Sequence, residues 1–550
     1  MPDPESRTPP VPADVAQEML DRVASSGDTH FRWGWGLGIL AVGAIAEAAV
    51  WMKFAPDATY QVMWSMPVVS GTAFAMLLWW VFGCGLEWSS RFLGLGGLTV
   101  ACGAFLGLFR FEGFEGDMWP RFRFRFEPTA EERLQEFLAT EETTPADAVT
   151  NKPGDAASTI GLQIAETDWP GFRGAQRNGI AHVKAGEFNW TKKPEELWRH
   201  PVGRGWSSFS VVQGRAFTQE QRDDLECVVC YDVRTGQQIW VHEDDERFDE
   251  PLGGPGPRAT PTIHDLRLYS LGATGLLNCL DATNGELLWQ KNILREVDAK
   301  NIEWAMAGSP LVVGDHVIVV PGGSNENSVI AYDRMSGEKI WSSGNDKASY
   351  AAPTFRTLLG TDQVIVFDGE GVKGYSPDSG TQFWKVAWTN GPKVNAAEPI
   401  PISDRLLFIG SGYGQGSGLV ELSHAGDVWK TKTLWTSRRF KLKFNAAVQK
   451  GEHAFGLDEG ILACLNMRTG DQVWKRGRYG YGQILLAGDA IVVQAENGDV
   501  AFVEATTEQF TELIRFPSLE GKTWNHPVIW NGLLLVRNGE EAVCYRLAER

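Results

Sequence analysis

The sequence predicts an all-β eight-bladed propeller preceded by a three-helix transmembrane segment. Three observations carry this: three long apolar stretches before residue 110, a polar acidic stretch from 126 to 168, and then short β-rich runs that recur with a period of 36 to 52 residues. At 550 residues the chain exceeds what one hydrophobic core usually supports. Trp (23) and Gly (61) are abundant and helix-forming runs are scarce beyond residue 140, which favours a β-rich body with tight turns.

Residues 1–30 form a polar, Pro-rich tail, too long and too weakly basic for the start of a signal peptide, and no small-residue cleavage site follows. The tail is expected to stay attached. Within 31–110, the stretches Trp33–Lys53, Val62–Phe82 and Phe92–Phe109 are 18 to 21 residues long. At ~1.5 Å per residue each is long enough to cross a ~30 Å hydrocarbon layer. Glu47 and Pro67 interrupt them, and Glu47, close to Trp51 and Lys53, reads as an interfacial or helix-packing residue rather than a functional acid. Arg121, Arg123 and Arg125 read as membrane-flanking charges rather than an anion site. Charge fixes orientation poorly: Arg7, Arg22, Arg32 and Arg91 share one side against Lys53, Arg110 and those three arginines, slightly favouring a cytoplasmic body. A net charge of −18 without a clustered basic face argues against nucleic-acid binding.

Residues 111–168 are expected to be a juxtamembrane segment and acidic linker, poor in large apolar residues from 126 onward except for an amphipathic run at Arg133–Leu138. The propeller occupies 169–550. Its first recurring feature is a hairpin, DxxTGxxxW, at Asp232/Gly236/Trp240, Asp281/Gly285/Trp289 and Asp333/Gly337/Trp341. Ser376/Gly380/Trp384 and Asn466/Gly470/Trp474 repeat it with a changed leading residue. The short polar side chain bonds turn amides, Gly takes positive φ, and Trp closes the next strand against a neighbouring sheet.

The second feature is a small residue two places before the start of each innermost strand. The starts are Phe209, Pro261, Pro310, Pro353, Pro399, Val448, Ile484 and Pro527, and the small residues are Ser207, Ala259, Gly308, Ala351, Ala397, Ala446, Gly482 and Asn525. Eight starts predict eight blades crowding a central axis. Glu196–His200, with Trp198, has no blade before it, and the last repeat ends without an outer strand. The first strand is therefore expected to complete the eighth blade and remove an exposed edge.

These hairpins, with the opening WPGFRGAQRNG of Trp169–Gly179, resemble the PQQ-like eight-bladed propellers, a family that includes BamB-type outer-membrane assembly lipoproteins and quinoprotein alcohol dehydrogenases. The resemblance covers 169–550. It implies an extracytoplasmic, periplasmic propeller, which with three spans requires a cytoplasmic N-terminus. It says little about activity, because the repeat Trp and Gly hold blades together in enzymes and non-enzymes alike.

Quinoproteins of this kind hold PQQ above a Trp and beneath a disulfide between adjacent cysteines, with calcium and an Asp base. No adjacent Cys pair occurs here. Cys230, Cys279, Cys464 and Cys544 all fall two residues before the hairpin Asp position, where Ala331 stands in another blade, so this reads as a small packing site and free thiols are expected. Cys227 and Cys230 form a CxxC, but strand residues three apart face opposite sides, which disfavours zinc or redox chemistry. No histidine pair has metal-ligand spacing, and the acidic run Glu243–Glu250 lacks the glycine of a calcium loop and reads as solvated.

One place before each small residue stand Trp206, Arg258, Ala307, Tyr350, Ala396, Asn445, Tyr481 and Trp524. Structural positions of a repeat should look alike, and these do not. A channel-mouth ring of Trp206, Arg258, Tyr350, Asn445, Tyr481 and Trp524 is suited to stacking a planar ligand or gripping a peptide, though large side chains that merely plug the funnel explain it slightly better. No catalytic residue or metal ligand is assigned. The expected function is a membrane-anchored, non-catalytic scaffold that binds proteins or peptides at the cell envelope, with no cofactor. The alternative is a PQQ-dependent membrane-bound oxidoreductase of the alcohol or sugar dehydrogenase type, which would need PQQ and calcium.

Overall fold

The computed structural model describes residues 14, 15, 17, 32–54, 57–143 and 164–550. Nearly all of the polar tail and the 144–163 part of the expected linker lie outside the described residues. The chain forms two compact units, one of residues 1–111 with 122–126 and one of 112–121 with 127–550.

The first unit contains three helices long and apolar enough to cross a membrane: α1 (Trp33–Phe54), α2 (Ala58–Leu78, extended by a π-helical turn to Gly83) and α3 (Trp88–Leu108). Leu37, Val42, Ile45, Phe74, Leu93 and Val100 point outward, a surface that only an apolar surrounding tolerates over three helices. α2 starts four residues earlier than its apolar stretch because the Asp57 side chain caps it, accepting from the Tyr60 amide at 3.4 Å. Glu47 accepts the Trp51 indole N–H at 2.8 Å, and the same N–H reaches the Ser65 hydroxyl of α2 at 3.2 Å, so its role is helix packing. Beyond α3, strands β1 (Phe109–Phe114) and β2 (Pro120–Phe124) pair as a hairpin. Arg125 closes the α3 terminus, its Nη2 donating to the Leu106 carbonyl at 2.9 Å.

The second unit is an eight-bladed propeller. Its innermost strands begin at Ser210, Thr262, Leu311, Thr354, Ile400, Val448, Gln483 and Val528, each within one residue of the expected start. Blade eight is built of Val528–Trp530, Leu533–Arg537, Glu541–Arg546 and the early strand Glu195–Pro201, so the ring closes as the two ragged ends require. Blade seven has a fifth strand, Ile180–Ala181, lying parallel to Gln483–Ala487, that the repeat pattern did not announce.

The repeat Trp joins neighbouring blades. Trp198, Trp240, Trp289, Trp341 and Trp435 lie over Gly236, Gly285, Gly337, Gly380 and Gly470 of the following blade so closely that a Cβ there has no room. Each indole N–H also donates to a main-chain carbonyl of that blade's turn: Val233, Ala282, Arg334, Pro377 and Met467. In blade five the outer turn holds its glycine, Gly426, clear of Trp384, which instead donates within its own blade to Gln363 at 2.6 Å. Cys230, Cys279 and Cys464 sit directly across the ladder from Trp240, Trp289 and Trp474, and Cys544 from Trp198, all free and buried. Burial pushes the Cys464 and Cys544 thiols up to about 12. Cys227 and Cys230 enter different core clusters, as alternation along a strand demands.

Two stretches depart from their expected description. The amphipathic run in the linker is α4 (Ala130–Thr143), which packs on the propeller: Phe137 stacks on His200 with centroids 5.2 Å apart, and Gln135 donates to Asp223 at 2.6 Å. Its start carries a reciprocal cap, with Thr129 Oγ1 accepting from the Glu132 amide at 3.0 Å and Glu132 from the Thr129 amide at 2.7 Å. The acidic run 243–250 is solvated only in part: Glu243, Asp245 and Asp249 are exposed, whereas Asp244 accepts from Asn278 and Gln290, and Glu250 pairs with Arg258 at 3.4 Å.

WPGFRGAQRNG is the molecule's internal clasp. Arg177 is buried and donates to the Ser309 and Pro353 carbonyls at 2.9 and 3.0 Å, and Arg173 to that of Ala447 at 2.6 Å. With Trp169 stacked on His526, one short segment holds blades three, four, six and eight at one end of the inner strands.

Candidate functional site: the channel mouth

The other end of the inner strands is the mouth. The sequence-predicted ring comes together there: Trp206 and Trp524 have centroids 5.0 Å apart, and Trp524 continues through Phe444 (5.3 Å) to Tyr481 (5.6 Å). Phe444 also meets Trp304, which packs on Tyr350 at 5.3 Å. Ala307 and Ala396 supply no ring atoms, and Asn445 is buried with neither amide atom hydrogen-bonded. Arg258 is committed to structure, donating to the Trp304 and Gly254 carbonyls at 3.0 and 2.6 Å. Burial lowers its guanidinium to about 10 while Glu250 opposes the shift.

The cations that face the aromatic ring are two lysines the repeat alignment passed over. Lys443 Nζ lies 4.2 Å from the Tyr481 centroid and 4.9 Å from that of Phe444; Lys522 Nζ lies 4.2 Å from Trp524 and 5.1 Å from Trp206. Both stand two residues before a ring position, a signal visible in the sequence once that offset is considered. Phe444 stands one place before the ring position Asn445 and Trp304 three places before Ala307, offsets at which the other blades carry no aromatic partner pattern, so the ring alignment alone does not reveal them.

The mouth holds a peptide. Residues 112–121, the tip of the β1–β2 hairpin, belong to the same compact unit as the propeller. Lys443 Nζ donates to the Gly116 carbonyl at 3.0 Å and Lys522 Nζ to the Phe114 carbonyl at 3.0 Å. The Gly116 amide donates to Glu496 Oε1 at 2.8 Å, and the same oxygen accepts the Trp524 indole N–H at 2.8 Å. Gly116 lies against the Tyr481 ring with no space for a Cβ. The Tyr481 hydroxyl donates to Glu459 at 2.9 Å. Burial, then Glu459, raises this phenol well above its ordinary value.

Burial, reinforced by Arg121, lowers the Lys522 ammonium to about 7 from an ordinary 10.5. The folded state therefore binds fewer protons than the unfolded chain between those values, and stability rises as pH climbs through that window. Lys522→Met is expected to flatten this rise, read as the urea midpoint from pH 6.5 to 10; an unchanged slope would assign it to another group.

A cavity of about 340 Å³ opens beside the tip, lined by Glu115, Arg121, Arg478, Tyr479, Glu496, Arg515 and Lys522 among others. At the opposite end of the channel a cavity of about 700 Å³ is lined by Arg173, Arg177, Arg356 and Glu398 with inner-strand residues. Burial raises the Glu398 carboxyl, opposed by Arg173.

A family model described as outer membrane protein assembly factor BamB matches residues 224–476, and the propeller is PQQ-like and BamB-like. The protein is similar to the outer membrane protein assembly factor BamB of Shewanella oneidensis, 24% identical over 64% of this chain and 88% of that one. The Burkholderia pseudomallei protein of the same name is 21% identical over 58% of this chain and 79% of that one. Among solved structures, quinohemoprotein alcohol dehydrogenase from Comamonas testosteroni shares the fold at a TM-score of 0.50 and 13% identity, covering 70% of this chain and 81% of that one.

The residues at the mouth do not fit PQQ with calcium. The Trp524 face carries an ammonium at 4.2 Å, and Tyr481 is covered by the Gly116 turn. Among the described residues no group of three or more His, Cys, Asp or Glu is placed to hold a metal ion.

Proposed function

We propose that this protein is a membrane-anchored scaffold whose propeller binds protein or peptide partners at the cell envelope, on the extracytoplasmic side. One observation carries the reading: the mouth grips polypeptide through main-chain groups, with two lysines on carbonyls and Glu496 on an amide. Main-chain recognition inside an aromatic ring is a way to bind protein segments, with rings supplying contact area and charged groups fixing orientation. The names carried by the similar BamB proteins support an assembly role over catalysis. The three apolar helices among the described residues support the anchor, and three crossings would set the propeller on the side of the membrane opposite the N-terminus.

A photo-crosslinking aromatic residue placed at Tyr350 is expected to capture a defined protein adduct in native membranes. The adduct should fall at least ~10-fold when Lys443 and Lys522 are both changed to Met, the loss of two charge-assisted hydrogen bonds. Purified protein titrated with PQQ and calcium should show no saturable Trp quenching and no dye-linked alcohol or sugar oxidation. Quenching abolished by Trp206→Ala, together with turnover, would replace the scaffold by an oxidoreductase.

A further inference from the structure

The tip residues and the mouth form a complete recognition pair within one chain. We propose that the mouth is a receptor for an acidic, glycine-containing turn of a partner protein, and that Glu115–Gly116–Asp117 is its tethered resident, which the partner displaces. This rests on the scaffold reading above and adds to it the chemistry of the partner and the gate that controls access.

Three observations converge on that chemistry. The contacts are specific for a turn with glycine at its centre: Lys443 and Lys522 take the carbonyls of Gly116 and Phe114, Glu496 takes the Gly116 amide, and the Tyr481 ring excludes any side chain at that place. The surroundings favour acid. On the receptor side of the cavity Arg478 and Lys522 stand against Glu496, while Arg515 is answered by Glu512 at 2.7 Å; Arg121 and Glu115 belong to the tip itself. This leaves a small local excess of cations on a chain of net charge −18, set against the burial and the Glu496 charge that raise the Glu115 carboxyl.

The tip also leaves half of the ring unused. Its hydrogen bonds fall on Lys443, Glu496 and Lys522, whereas the buried Asn445, 1% exposed, has both amide atoms unpartnered, and the Trp304 indole N–H is likewise unpartnered and buried. Such groups cost free energy unless a ligand satisfies them. A partner segment longer than the tip reaches them and so gains contacts that the resident lacks.

A tethered segment acts at an effective concentration of order mM, so an external peptide competes poorly until the tip is unseated. The test uses the full chain in lipid nanodiscs and a fluorescent synthetic peptide of residues 112–119, EGFEGDMW, read by anisotropy. Gly116→Val unseats the tip, and Glu115→Gln with Asp117→Asn serves the same purpose should that variant fail to fold. Either should bind the peptide at least ~10-fold more tightly than the parent chain. Binding should vanish for a peptide with Val at the second glycine and weaken ~10-fold again when Lys443→Met is added. Equal affinity in parent and unseated chains, or binding indifferent to the peptide's glycine, would overturn the proposal. If the peptide fails while the adduct from position 350 persists, this inference falls and the scaffold stands; loss of the adduct alone is the failure of the scaffold.

Discussion

Glu220→Gln is expected to destabilise the propeller by 3–5 kcal/mol, the cost of breaking a buried ion pair from one side. Glu220 is fully buried at the seam between the first and last blades. It accepts from Arg222 at 3.0 Å, the Gly203 amide at 2.9 Å and the Tyr231 hydroxyl at 2.8 Å, and Arg537 of blade eight stands 4.0 Å away. Arg537 itself donates across the seam to the Gly203 and Gln219 carbonyls at 2.9 and 3.3 Å. Burial disfavours the carboxylate, but the two guanidinium groups and these hydrogen bonds overcome it and hold Glu220 below the usual carboxylate range.

The sign follows from that direction. A depressed carboxylate contributes stability above its ordinary value near 4.5, and this is lost as pH falls through the folded value. Glu220→Gln should therefore show a lowered urea midpoint at pH 7 and less further loss on acidification than the parent chain. Arg537→Met alone leaves Glu220 its other partners and should cost less. If the double variant costs as much as the two singles added together, the groups do not act as one seam.

Trp289→Ala is expected to cost a further 3–5 kcal/mol by a different route, the emptied volume of a large buried aromatic. Trp289 is 9% exposed, covers Gly337 of the next blade and donates to the Arg334 carbonyl at 3.2 Å. Trp289→Phe keeps part of the contact and loses the hydrogen bond, a cost of about 1 kcal/mol plus its lost area. Gly337→Ala attacks the same joint from the other side, because at φ of 71° the backbone is left-handed and a Cβ would stand 2.8 Å from the indole. Its effect should be far from additive with Trp289→Ala. Thermal midpoints at one scan rate compare the variants, and full additivity would mean the indole and the glycine serve separate joints.

Those two joints explain why the architecture was legible. A propeller repeats one solution eight times, so the constraint at each joint is written repeatedly in register, and even the missing outer strand of blade eight could be assigned to Glu196–His200, which lies within the observed strand Glu195–Pro201. Blade five shows the limit, since its turn glycine, Gly426, stands clear of Trp384 and its joining Trp435 lies outside the GxxxW spacing, which left no motif to find. At the mouth, departure from repetition marked Trp206, Tyr350, Asn445, Tyr481 and Trp524. It also marked Arg258, whose donors are taken by the Gly254 and Trp304 carbonyls.

The sequence by itself determined the apolar helices, the number and boundaries of the blades and the closure of the ring, because each rests on local periodicity or on a side chain that must recur. Only the tertiary structure decided which groups meet across long separations. Residues 112–121 carry no repeat signal, yet Gly116 bonds Glu496 and Lys443 more than 300 positions away. Arg173 and Arg177 reach blades three, four and six from one short segment, and the amphipathic run 133–138 lies in α4, which packs on His200. Such contacts depend on shape and burial at a single place, and a single place leaves no period to read.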